Sequence, residues 1–204
     1  ALLAAMPLAA QKRAFTIEDI YRLQYASGPT VSATGALAYG TSRSDLKAQK
    51  SYSNIVVNGK TITTDNKSFS PFWSADGRTL YFVSSTAWDI PAHYKDIKYN
   101  ICRVGFDPKT GHTVGKVDTI FNARLMGKSA NHPRPSYDGR FLLFTLSDYG
   151  CFPIWHKEAD QWLLDLRTMS ARPLTEINSE NTDSWHNWSR NSHWIVFTSR
   201  RING

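Results

Sequence analysis

Apolar residues fall in short runs, each entered through a tight polar turn. In "WSADGRTLYFVSS", residues 73–85, the polar stretch after Trp73 runs straight into Leu80-Tyr81-Phe82-Val83. A run this short, bounded by turn residues, reads as a β-strand. The same step recurs in "TVSATGALAYGTSR" (30–43), "PRPSYDGRFLLFTLS" (133–147) and "HNWSRNSHWIVFTSR" (186–200). Aligned on their serines, the copies put Ser32, Ser74, Ser136 and Ser189 in one column. Three positions on stand Gly35, Gly77, Gly139 and Ser192, preceded by Thr34, Asp76, Asp138 and Asn191. Asp or Asn bonds its own backbone in such a turn, and Gly accepts a positive φ. Val31, Trp73, Pro135 and Trp188 precede the serines. Tyr39, Phe82, Phe144 and Phe197 form an aromatic column if the first copy lacks one residue.

The serines are spaced by 42, 62 and 53 residues. A four-stranded propeller blade takes about 40 residues or more. The two longer intervals carry insertions, "TAWDIPAHYKDIKYN" (86–100) and "DYGCFPIWHKEADQ" (148–161). Further strands are expected at "SNIVVNG" (53–59), "NICRVGF" (100–106) with "KVDTIFN" (116–122), and "QWLLDLR" (161–167) with "PLTEI" (173–177). A short helix is expected over 16–23, with Thr16 as its cap and Ile17, Ile20 and Tyr21 as a partial apolar face. The fold is therefore read as all-β, a β-propeller of four-stranded blades occupying 29–204, behind a lead-in segment at 11–28. A β-sandwich uses similar strands but does not predict four like units a blade apart. About three and a half blades are visible, so the propeller is expected to be incomplete. Two alternatives stay open: a small ring closed by the N-terminal segment, and a ring assembled from two copies.

Composition refines this picture. The chain carries 24 Lys and Arg against 17 Asp and Glu, a net charge of +7. The basic residues are scattered, so no nucleic-acid partner is expected. Residues 1–10 are small and apolar before the chain turns polar, as in the tail of a secretory signal peptide. They are too few to span a bilayer, and no other apolar run has membrane length. Cys102 and Cys151 lack CxxC spacing, which leaves two thiols or one bridge equally open.

The "WSADG…YFVSS" unit resembles the Ser-Pro-Asp-Gly repeats of TolB-like, WD40-like propellers, with Ala33, Ala75, Tyr137 and Arg190 at the usual proline position. The later segments "YNICRVGFDPKTG", "GKSANHPRPSYDGRFLLFTLSDYG" and "NTDSWHNWSRNSHWIVFTSRR" look most like TolB-like periplasmic proteins. The opening "FTIEDIYRLQYASGPTVSATGALAYGTSRSDLK" resembles the start of secreted prolyl-oligopeptidase-like serine peptidases, which place a propeller before a hydrolase domain. The first resemblance implies a non-catalytic, protein-binding or scaffold module in the periplasm or outside the cell. The second implies the N-terminal propeller of a serine peptidase, with its catalytic residues in another domain.

The chain itself offers little chemistry. No G-x-S-x-G elbow is present, and "GKSAN" (127–131) lacks the glycine pattern of a phosphate loop. The histidines show no metal-ligand spacing, although His156 with Glu158 and Asp160 is a loop trio of cation-binding type. His186 and His193 flank the last turn and are read as packing or rim residues. Asp76 is a turn residue, and Asp183 a loop cap or a bridge between blades. No catalytic residue, metal or cofactor is expected. A binding surface is the better candidate. The first insertion offers Trp88, His93, Tyr94 and Tyr99, and the second Tyr149, Phe152, Trp155 and His156. Exposed aromatics of this kind anchor peptide or protein partners, and the alternative is that they tuck beneath their own loops. Self-association is the other partner reading, should the propeller be incomplete.

Overall fold

The computed structural model describes residues 14, 16–45, 47–48, 50–64, 67–86 and 92–202. The leader read at 1–10 and the candidate Trp88 lie outside the described residues. A short helix α1 (Ile17–Arg22) precedes fourteen strands. These are β1 (Tyr25–Val31), β2 (Leu37–Asp45), β3 (Lys50–Val57), β4 (Lys60–Thr61), β5 (Lys67–Trp73), β6 (Thr79–Ser85) and β7 (Asn100–Asp107). There follow β8 (His112–Phe121), β9 (Ser129–Pro135), β10 (Phe141–Ser147), β11 (Asp160–Asp165), β12 (Ser170–Pro173), β13 (Asp183–Trp188) and β14 (Ile195–Ser199).

Antiparallel pairing groups them as β1–β4, β5–β8 and β9–β12, three four-stranded blades, with β13–β14 as the first hairpin of a fourth. One parallel bridge, Ser53 to Lys67, links the first two blades. The opening strands β1, β5, β9 and β13 touch one another in sequence, side by side around the propeller axis. The architecture is an all-β propeller that forms an open arc over the described residues.

Alternation along each strand packs both faces of the central blade. Leu80 and Phe82 join Ala38, Ile55 and Val57 between blades one and two. Their neighbours Tyr81 and Val83 point the other way, to Ala130, Leu142 and Phe144 of blade three. Phe82 and Phe144 of the aromatic column are fully buried. Tyr39 and Phe197 are half-buried, because they sit in the terminal sheets of the arc. The contact between blades three and four is polar instead. Asn131, Thr145 and Gln161 lie in one cross-strand row, all fully buried.

The four turns share one hydrogen-bond plan. Ser74, Ser136 and Ser189 donate through Oγ to Asp76 (2.6 Å), Asp138 (2.5 Å) and Asn191 (2.6 Å). The same oxygens accept from the N–H groups of Thr79 (2.9 Å), Phe141 (2.9 Å) and Trp194 (3.0 Å). Ser32 accepts from Ala36 at 3.0 Å, one position sooner, which locates the missing residue of the first copy. The fourth turn position has φ of +85°, +67°, +72° and +59° at Gly35, Gly77, Gly139 and Ser192. At Gly77 the neighbouring blade is also close: a Cβ there would lie 3.3 Å from Ser32 Cβ. Gly77→Val is therefore expected to cost about 1–3 kcal/mol. A urea midpoint equal to that of the parent chain would refute this turn geometry.

A second column has no counterpart in the sequence reading. Each opening strand bulges four residues before its serine, at Gly28, Ser70, His132 and Trp185, with φ of +56°, +56°, +53° and +47°. Pro29, Pro71 and Pro133 follow three of these bulges. Proline is tolerated there because the strand is an edge and needs no further donor. The fourth blade has His186 instead. Its Nε2 lies 2.8 Å from His132 O and 3.2 Å from Leu143 O. Carbonyls only accept, so Nε2 carries the proton and Nδ1 accepts from Thr145 Oγ1 at 3.4 Å.

Three expectations are corrected. The first blade begins at Tyr25, inside the segment read as lead-in, because 25–31 pairs with β2. "PLTEI" is not the fourth strand of its blade. Met169 N–H closes a tight turn on Asp165 O, so the returning strand is Ser170–Pro173. At the helix the capping roles are reversed: the Asp19 carboxylate accepts from Thr16 N–H at 2.9 Å and from its hydroxyl at 3.3 Å. Ile17 and Tyr21 are exposed, so α1 buries no apolar face through them.

Candidate functional site

The insertion between β6 and β7 and the insertion between β10 and β11 lie at one end of the arc, and backbone bonds stitch them together. Gly150 N–H donates to Ile97 O at 2.9 Å. Ser129 Oγ donates to Gly150 O at 2.7 Å and accepts from Tyr99 N–H at 3.0 Å. Lys98 donates to Asp148 O. Tyr94 of the first insertion meets Tyr149 of the second edge to face at 5.4 Å, and Tyr149 meets His156 at 4.4 Å.

Between them opens a cavity of about 580 Å³. Phe69, Ile97 and Tyr99 form an apolar floor, with Phe69 and Tyr99 in edge contact at 4.7 Å. Tyr94, Tyr149, Phe152 and Trp155 form the rim. Trp155 is 79% and Phe152 61% exposed. The remaining wall is polar. Ser27, Ser42 and Ser53 come from the first blade, and Lys67, Gly150, Cys151 and His156 complete the lining. Lys67 is only 5% exposed and donates to Ser51 Oγ at 2.6 Å. Burial holds its ammonium below the ordinary lysine value. Burial likewise pushes the Cys151 thiol up, so that side chain is neutral. His156 Nδ1 lies 3.0 Å from Glu158 Oε1, which also accepts from Asp148 N–H.

Of the eight aromatic and histidine residues read as a binding surface, six line this cavity: Tyr94, Tyr99, Tyr149, Phe152, Trp155 and His156. His93 does not; it is exposed and pairs with Asp96 at 3.4 Å. Tyr99 is tucked into the floor. Lys67 was missed from the sequence. Its signal is positional: seven residues before the turn serine, where β9 and the approach to β13 carry the buried hydroxyls of Ser129 and Thr182, β5 carries a lysine.

The opposite end of the arc carries the turns. A cavity of about 460 Å³ there is lined by Ala33, Ala75, Tyr137 and Arg190, one from each turn, with Phe72 and Trp73 behind them. Among the described residues no cluster of three or more His, Cys, Asp or Glu side chains is placed to hold a metal ion. Asp183 both closes a loop and joins blades: it accepts from Ser179 N–H at 2.6 Å and from Arg201 at 3.0 Å, while its own N–H donates to Ala159 O. His186 is buried and His193 exposed. Cys102 and Cys151 are both free thiols. They sit on opposite faces of the central blade, Cys102 in the core shared with blade one and Cys151 against the core shared with blade three. No described helix is long and apolar enough to cross a membrane.

The arrangement is that of a β-propeller carrying a loop-built cavity at one mouth. No family model matches the chain, and no curated protein does. Solved structures do match. The acylaminoacyl peptidase of Pyrococcus horikoshii superposes over 88% of this chain and 28% of its own, at 17% identity and a TM-score of 0.51. The Cps50 (Swd1) β-propeller domain of Myceliophteria thermophila covers 88% of this chain and 51% of its own, at 14% identity and a TM-score of 0.52. A thermostable family-43 glycoside hydrolase covers 85% and 65%, at 9% identity and a TM-score of 0.50. The chain thus spans less than two thirds of each, and the likeness is one of fold.

Proposed function

We propose that this chain is a TolB-like propeller module that binds a protein or peptide partner at the cavity between the two insertions and carries out no chemistry of its own. The observation behind this reading is the convergence of two separate insertions on one aromatic-rimmed cavity. Exposed rings above an apolar floor are what a peptide side chain needs for anchoring. Placement in the periplasm or outside the cell rests on the signal-like pattern of residues 1–10. Titration with short aromatic peptides, followed by amide chemical shifts, is expected to perturb residues of the two insertions. The double variant Phe152→Ala with Trp155→Ala is expected to weaken binding about tenfold or more, since rim aromatics carry a large share of such energy. Perturbation confined to the turn-lined end, or none, would refute the reading.

A second reading is the N-terminal propeller of a secreted serine peptidase, favoured by the resemblance of residues 15–47. In that case the cavity serves access or docking, and chemistry belongs to a separate hydrolase domain. Sequencing the gene past the codon for Gly204 decides it: a frame that continues into a G-x-S-x-G elbow supports the peptidase reading.

A further inference from the structure

Lys67 stands out within the cavity. It is a cation in an almost fully buried position, and burying a charge is costly unless it is paired. Its only hydrogen-bond partner among the described residues is the neutral Ser51 hydroxyl. No described carboxylate lies within ion-pair distance of it, and Asp148 and Glu158 of the second insertion are engaged elsewhere. Glu158 is held by His156 and by Asp148 N–H, and Asp148 by Lys128 at 2.5 Å. The neighbouring Cys151 thiol, neutral by burial, supplies no counter-charge. Around Lys67 the cavity presents the hydroxyls of Ser27, Ser42 and Ser53, which donate to an anion as readily as they accept. Facing this polar wall are Phe69, Tyr99, Tyr149 and Trp155.

Resting on the reading of this cavity as a binding site, we propose that Lys67 is the anchor for a carboxylate whose aromatic or apolar body lies against the tyrosines and Trp155. One buried ammonium matches one negative charge. A phosphate, with close to two, calls for a second cation or a fork of guanidinium donors, and the lining contains neither. The aromatic floor selects against a ligand that is polar throughout. The chemistry is thus a monocarboxylate on an apolar body, and two sources carry it: a free aromatic acid, or the C-terminal carboxylate of a peptide ending in an aromatic residue. Binding supplies a counter-ion to a buried charge that no described carboxylate pairs.

The test compares acids with their amides. N-acetyl-phenylalanine and N-acetyl-phenylalanine amide are titrated by Trp fluorescence at neutral pH, as are Ala-Ala-Phe and its C-terminal amide. Each acid is expected to bind about tenfold or more tightly than its amide. The preference is expected to vanish in Lys67→Met and to survive in Lys67→Arg, with circular dichroism confirming that each variant is folded. The acid-to-amide ratio in the parent chain is itself a test that needs no variant. Equal affinities for acid and amide would overturn the anchor and leave the peptide reading standing. An acid preference that persists in a folded Lys67→Met chain would also overturn it. Lys67-dependent binding of the small acid with no binding of any peptide would keep the anchor and remove the peptide partner. No binding of either acid would overturn both.

Discussion

Trp73→Ala is expected to destabilise the chain by about 3–5 kcal/mol. The indole is 5% exposed and belongs to the core shared by the first two blades. It stands edge-on to Phe106 at 5.0 Å, and its Nε1–H donates to Thr30 O of the preceding blade at 3.4 Å. Truncation removes packing on both blades at once and leaves a carbonyl without its donor. Trp188 repeats the device, donating to Arg134 O at 2.9 Å. The bond falls on the same strand position in both cases, two residues before the turn serine. The tryptophans are therefore cross-blade staples rather than fillers of a single sheet. Urea unfolding checks this. A change below about 0.5 kcal/mol, the range of surface substitutions, would refute the staple.

Acid is expected to destabilise the arc through two histidines. Burial holds His132 down at about 4 and His186 at about 3, and each is lowered further by Arg134. His186, which donates to the backbone carbonyl of His132, is lowered by His132 as well. Both are neutral in the folded chain at neutral pH. In the unfolded chain their protons bind near pH 6.5. Stability is therefore present above about pH 6.5 and drains away as pH falls from there, levelling off below the folded-state values. The loss is on the order of several kcal/mol, at about 1.4 kcal/mol per unit of displacement. Urea midpoints measured from pH 7.5 down to pH 4 are expected to fall, and to fall less in His132→Asn, whose side chain tolerates the positive φ of that bulge. Midpoints that hold steady across this window would show that the two rings are solvated.

The turns were legible because their chemistry is local. The serine hydroxyl, the side chain two residues on and the returning N–H make their bonds within the turn itself, so the repeat is written in residue types. The bulge column was not legible. Gly28, Ser70, His132 and Trp185 share no side-chain chemistry, and their common conformation shows only in the register shift between each opening strand and its hairpin partner. The fourth strand of blade three was misplaced for a similar reason. Pro173, Leu174 and Ile177 look like a strand, but the tight turn at Asp165–Met169 brings the chain back earlier. At the cavity, composition marked the insertions as aromatic but did not say which rings converge. Tyr99 sinks to the floor, His93 turns to Asp96, and Lys67, far away in sequence, arrives from the first strand of the second blade.

The self-contained turns bear on how the chain acquires its shape. In each of the four turns the serine hydroxyl completes its network across no more than six residues, from the serine to the N–H that returns to it. β-Hairpins form in about 1–10 microseconds, whereas contacts between distant segments are slow because chain entropy must be lost first. The opening hairpin of every blade can therefore form independently and early. The tryptophan staples, which require a neighbour, come last. Assembly along this chain becomes the docking of ready-made hairpins, and its slow step belongs to the contacts between blades.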